Sequence, residues 1–191
     1  MNKVRNQVNL DKTLAFTKSS FAYKDPYLIN GGLLYKLTNR FQSFIAMRNI
    51  ENEFIDFKSY TFDSQFRDVS ASVFKAYNKN DKVNLQRSLS EAMFNWATSI
   101  RAEKRNNPFM KEIASLQHLQ SRMYHDNDHL LPEDQWAQIT VLLKGEDFKG
   151  QQTKIYTVFE RRAADKTDYY DWKISFMAGE EDWKLINDVK I

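Results

Sequence analysis

Two amphipathic helices followed by a run of alternating strands constrain this chain more than any other feature. Between residues 69 and 105, apolar side chains recur at three- and four-residue steps. Val69, Val73 and Tyr77 lie one above another, with Phe74 beside them. The polar turn Asn78-Lys79-Asn80-Asp81 follows, and Asp81 is placed to cap a second helix. In that helix Leu85, Leu89, Met93, Trp96 and Ile100 form the stripe, and Asn106-Asn107-Pro108 ends it. Arg101, Lys104 and Arg105 in its last turn complement the helix dipole.

The period then changes from 3.6 to 2. Ile139, Val141 and Leu143 alternate with Gln138, Thr140 and Leu142; Ile155, Thr157 and Phe159 with Tyr156, Val158 and Glu160; and Tyr170, Trp172, Ile174 and Phe176 with Asp171, Lys173 and Ser175. Short turns join them, at residues 145–151 and 163–168, and Gly179-Glu180-Glu181-Asp182 closes the last. Three strands joined in this way imply an antiparallel meander, and the two helices are the available cover for one face. The predicted class is α+β, helices packed on a curved antiparallel sheet. Residues 109–124 fit a helix through Ile113, Leu116, Leu119 and Met123, and equally fit a strand. Residues 126–135 read as a loop.

Ahead of this unit, the spacing predicts a helix over residues 33–52, after the break at Gly31-Gly32. Leu34, Leu37, Phe41 and Phe44 share one face, Lys36 and Arg40 lie to another side, and Arg48 sits at the edge. A basic amphipathic helix of this kind suits a membrane surface or RNA; its apolar face equally suits the domain's own core. Residues 53–67, rich in Phe and Tyr, read as a helix end and connector. Residues 1–30 have no sustained period, but Phe16, Phe21, Tyr23 and Tyr27 suit an extended arm lying against a surface. The expected division is 1–68, arm and helix, and 69–191, the helix-backed sheet.

Charge is unevenly placed behind a net value of +3. Residues 1–50 carry eight basic and two acidic side chains, whereas residues 125–191 carry nine and fourteen. A basic arm (Lys3, Arg5, Lys12, Lys18) attracts phosphate backbones or anionic head groups. Cysteine is absent, which excludes a disulfide framework, a thiolate metal site and a cysteine nucleophile. No segment approaches the roughly 20 apolar residues of a membrane span. No apolar run follows the first residues, so no signal peptide is expected; a mature form with its presequence removed fits as well.

Residues of catalysis are sparse. His125 and His129 flank Asp126 and Asp128 in the loop, without the His-Glu-x-x-His helix of a zinc site. His118 is the one histidine near the sheet's inner face. No phosphate loop, dinucleotide fingerprint or Ser/His/Asp set occurs. No catalysis, metal or cofactor is expected. Arg161-Arg162 close a strand where phosphates or acidic partners could be met. Trp96, Trp136 and Trp172 fall on the inferred core side, and Trp183 is placed to staple the C-terminal tail.

Several of these segments together resemble a mitochondrial family. They are Ala76-Tyr77-x3-Asp81-x3-Leu85-x4-Ser90-Glu91, Trp136-Ala-Gln-Ile-Thr-Val, Tyr156-Thr-Val-Phe-Glu-Arg and Trp172-Lys-Ile, across residues 69–177. That family shares the Tim-forty-four-like C-terminal domain of the inner-membrane import-motor tether. It includes a large-subunit protein of the mitochondrial ribosome and a membrane-bound ribosome receptor. Val158-Phe159-Glu160-Arg161 looks most like the ribosomal member. The resemblance implies a cone-like, nuclear-transport-factor-two-like domain and a non-catalytic place near the polypeptide exit, at the matrix face of the inner membrane. Ribosomal RNA and neighbouring ribosomal proteins would be the partners, with peripheral membrane contact. Lys3, Arg5, Lys12, Lys18, Lys36, Arg40, Arg87, Arg101, Lys104, Arg105, Arg161 and Arg162 are the candidate contacts. The 145–151 turn is shorter than the family's hairpin and the arm less basic than a dedicated RNA-binding tail. A scaffold or accessory subunit of an import motor or respiratory complex therefore stays open.

Overall fold

The computed structural model describes residues 28, 31–102, 109–125, 135–162, 172–180 and 183. Helix α1 (Leu33–Glu53) is followed by a 3-10 turn (Ser59–Thr61), α2 (Phe62–Lys79), α3 (Lys82–Ser88) and α4 (Glu91–Ala102). Strands β1 (Met110–His125), β2 (Gln135–Asp147), β3 (Gln152–Arg162) and β4 (Lys173–Gly179) then form one antiparallel sheet in chain order. The class is the expected one, α+β with helices on an antiparallel sheet. The ambiguous 109–124 segment is a strand, paired along its length with β2.

Three boundaries differ from the periodicity. Helix α2 begins at Phe62, seven residues before Val69, because buried Phe66 and half-buried Phe62, edge-on to it, extend its apolar stripe onto the core. A division at residue 68 thus falls inside α2. The second predicted helix is two. Leu89 is extended and bridges Ile174 in parallel, and the Ser90 N–H donates to the Ile174 carbonyl at 3.0 Å. Ser90 then starts α4, its Oγ accepting from Met93 N–H at 3.3 Å. Gly145 lies within β2 rather than in a turn, and the reversal is at residues 147–151. There Asp147 Oδ1 accepts from the Lys149 and Gln151 N–H groups, and Gly150 takes a φ of 78°. Elsewhere the caps follow expectation. Asn80 ends α2 in the left-handed region, and Asp81 Oδ1 accepts from Asn84 N–H at 3.1 Å to begin α3. That hydrogen bond holds the Asp81 carboxyl below its ordinary range.

Register divides the sheet into two faces. His118, Val141 and Thr157 lie in one row; Gln120, Thr140, Val158 and Phe176 lie in another, on the opposite face. An irregularity at Leu119 lets His118 and Gln120, two residues apart, face opposite ways. The first face meets α2. Phe66 stacks on Phe159 at 4.2 Å, and Trp172 lies 5.1–6.1 Å from Phe54, Phe57 and Phe66. These rings, with Ile50, Val73, Leu89 and Met93, make one continuous core, so residues 50–66 are part of the domain. On the second face Trp183 stacks on Tyr156 at 5.2 Å. Trp136 is half-buried and stacks on Tyr124, and Trp96 is half-buried beside Phe109.

Candidate functional site: the outward face of the first helix

Helix α1 is attached to the sheet by its polar side. Asn39 Nδ2 donates to the Leu119 carbonyl at 2.9 Å, and Asn39 Oδ1 accepts from Gln120 Nε2 at 3.1 Å and Arg122 Nη2 at 2.8 Å. Ser43 Oγ accepts from the Ser121 N–H at 3.1 Å and from Arg122 Nη1 at 3.3 Å. Asn39 and Ser43, one turn apart, are buried with Ala46 and Ile50. Each hydrogen bond satisfies a group that burial would otherwise leave stranded.

With that side fixed to β1, the apolar side faces outward. Leu34 is 79% exposed, Leu37 58%, Phe41 66% and Phe44 59%, and Leu33 and Ile45 are exposed with them. The core reading of this stripe is therefore overturned: the core is filled by other side chains, and polar contacts own the seat. At about 100° per residue, the six side chains occupy an arc of about 120°. Taking such side chains out of water stabilises by about 1.5–3 kcal/mol each. A contiguous row of this kind marks an interaction surface.

The charge beside the row is of one sign. From Leu33 to Ile50 the helix carries Lys36, Arg40 and Arg48 and no carboxylate. All three are exposed. Arg48 lies 5.2 Å over the Phe44 ring, inside the apolar arc. Lys36 and Arg40 border a groove of about 670 Å³ between α1 and β1, which also includes Tyr35, Phe44, Met47 and His118. His118 Nε2 is 2.8 Å from Ser121 Oγ, and its ring meets Phe62 edge-on. Burial pushes the imidazole below its ordinary value; Arg122 adds in that direction and a backbone hydrogen bond at Gln120 opposes it. The groove places cations and a neutral imidazole together without a carboxylate, which suits an anionic group.

The other candidates divide. Arg87 is exposed on α3. Arg101 is half-buried; it donates to the Tyr77 carbonyl and lies 5.3 Å over that ring, so it ties α4 to α2. Arg161 is removed from the contact set. It is buried, forms a bidentate ion pair with Asp56 through Nη1 to Oδ2 and Nη2 to Oδ1, each at 3.0 Å, and sits 4.4 Å over Phe54. The strand-end position that made it look available is covered by the 54–57 segment. For Arg162 the described feature is the backbone that ends β3. Lys3, Arg5, Lys12, Lys18, Lys104, Arg105 and His129 lie outside the described residues. Among the described residues no group of three or more His, Asp or Glu is placed to hold a metal, and no helix is long and apolar enough to cross a membrane.

Sequence reasoning singled out Lys36 and Arg40 but missed the seat of Asn39, Ser43, Gln120 and Arg122. The signal was present in α1: two small polar residues at i and i+4, opposite the apolar row. Comparison of the chain with protein-family models and with curated proteins gives no match.

Proposed function

We propose that the protein is a non-catalytic component of the mitochondrial large ribosomal subunit, near the polypeptide exit, that binds ribosomal RNA and helps to place the ribosome at the inner membrane. The observation that carries an assembly role is the outward face of α1. Six large apolar side chains and three cations point away from the fold, while the sheet's helix-facing side is filled by Phe66, Phe159 and Trp172. A filled inner face supports a part that docks rather than one that encloses a substrate. The mitochondrial and ribosomal placement rests on the resemblance over residues 69–177. Arg87 and the basic arm are suited to phosphate contacts, and Lys36 and Arg40 are suited to a phosphate or to a carboxylate of a neighbouring protein.

A second reading, a scaffold subunit of an inner-membrane complex, is favoured by the apolar content of the same face, since RNA backbones recruit cations more than Leu and Phe. Sedimentation of the tagged protein from gently lysed mitochondria decides between them. Co-migration with the large subunit, abolished by RNase, is expected. Migration with a membrane complex indifferent to RNase replaces the ribosomal assignment with the scaffold one.

A further inference from the structure

The spacing along the outward face of α1 carries more than exposure. Leu34, Leu37, Phe41, Phe44 and Arg48 follow one another at steps of three, four, three and four. That is the seam of a two-helix interface, in which each side chain enters a hole between four residues of the facing helix. The helix offering it is 21 residues long, roughly 30 Å, and is held rigidly by the Asn39 and Ser43 hydrogen bonds to β1. Over Leu33–Ile50 no carboxylate accompanies Lys36, Arg40 and Arg48. The helix's two carboxylates, Glu51 and Glu53, stand in its last turn, where Glu51 accepts from the Ser59 N–H at 2.6 Å and faces Arg48 electrostatically. Lys36 and Arg40 border a groove whose lining has no carboxylate.

We propose that the outward seam of α1 is the seat of an amphipathic helix from another chain, one that carries carboxylates beside its apolar stripe. Its apolar side chains meet Leu34, Leu37, Phe41 and Phe44, and its carboxylates meet Lys36 and Arg40 at the mouth of the α1–β1 groove. A second copy of α1 fits poorly, because Lys36 and Arg40 would meet a seam whose middle carries no carboxylate: Glu51 and Glu53 are confined to the last turn, and Glu51 already accepts from the Ser59 N–H. A lipid surface would accept the charge, but it has no use for the three-four spacing, and Arg48 stands inside the arc that would have to enter the acyl region. Opposite charge at the flanks selects the partner and its orientation, and the seam supplies the contact area.

The inference rests on the reading of α1 as buried in an assembly, but not on which assembly that is. The test uses the full chain in its native complex, with a photo-reactive p-benzoylphenylalanine replacing Leu37 or Phe44, and with Gln42, off the seam, as the control position. Irradiation at 37 or 44, and not at 42, is expected to join the chain to a peptide with apolar residues at three-four spacing and flanking Asp or Glu. Adding Lys36→Glu and Arg40→Glu is expected to lower that yield about tenfold, with the thermal midpoint of the purified chain unchanged. A product with RNA, lipid, a second copy of the chain or a segment lacking carboxylates overturns the proposal, as does the absence of a position-specific product. Sedimentation of the same samples with and without RNase reads the ribosomal assignment separately, so either can fail alone.

Discussion

Arg161 and Asp56 share an ion pair from opposite surroundings. The guanidinium is 5% exposed and lies over Phe54, while the carboxylate is 68% exposed. Losing either partner therefore has unequal consequences. Asp56→Ala takes an acceptor from a cation that water reaches poorly, and should destabilise the fold by about 1–3 kcal/mol despite Asp56 standing at the surface. Urea unfolding measures this, and an unchanged midpoint would mean that the pair contributes no net stability. His118 gives a pH dependence. Its folded pKa lies below the ordinary 6.5, mainly through burial and secondarily through Arg122. As the pH falls, the unfolded chain takes up the proton first. The stability tied to neutral His118 is complete above about 6.5 and is lost as the pH falls through the lower folded value. Unfolding followed across that range should show stability rising with pH, and His118→Gln should flatten this slope.

At the scale of elements, β2 owes its register to a glycine that the sequence presents as a turn residue. A Cβ at Gly145 would fall on the backbone carbonyl of Glu112, where β1 has an irregularity opposite it. Gly145→Ala should cost about 2–4 kcal/mol by forcing two backbones apart, whereas Gly32→Ala, in open space, should cost little. Thermal unfolding of the two variants checks the contrast. The meander was legible because alternation over Ile139–Val141–Leu143 and Ile155–Thr157–Phe159 is local information. The break at Leu89-Ser90 was not, because its cause is a hydrogen bond to Ile174, far along the chain. Nor was the early start of α2, where Phe62 and Phe66 are drawn into an aromatic core shared with Phe159 and Trp172. For α1, periodicity revealed an apolar face but not what it meets. That choice was made by Asn39 and Ser43 finding Gln120 and Arg122 on β1.

For the whole molecule, two groups of charge are separable by experiment. The cations of α1 stand on a rigid helix beside an apolar seam, where they select a partner. The arm cations Lys3, Arg5, Lys12 and Lys18 precede that helix with Asp11 as the only acid among the first 18 residues. If the arm contacts phosphates, reversing all four removes up to four released counterions. The slope of log affinity for RNA against log salt should then fall in magnitude by about 3, since each phosphate contact contributes about 0.7–0.9. Affinity should drop most at low salt, and the unfolding midpoint should stay where it was, because the core of the described residues is built from apolar side chains. Leu37→Ser with Phe41→Ser should do the reverse. The salt slope for RNA should be unchanged while co-sedimentation with the native assembly is lost, because these two side chains are exposed and supply contact area without charge. RNA titrations of the purified variants at several salt concentrations, set beside sedimentation, measure both. A slope that ignores the arm reversal would assign the RNA contacts to cations outside the arm, such as Arg87, and would leave the arm's aromatic residues as its contribution to binding.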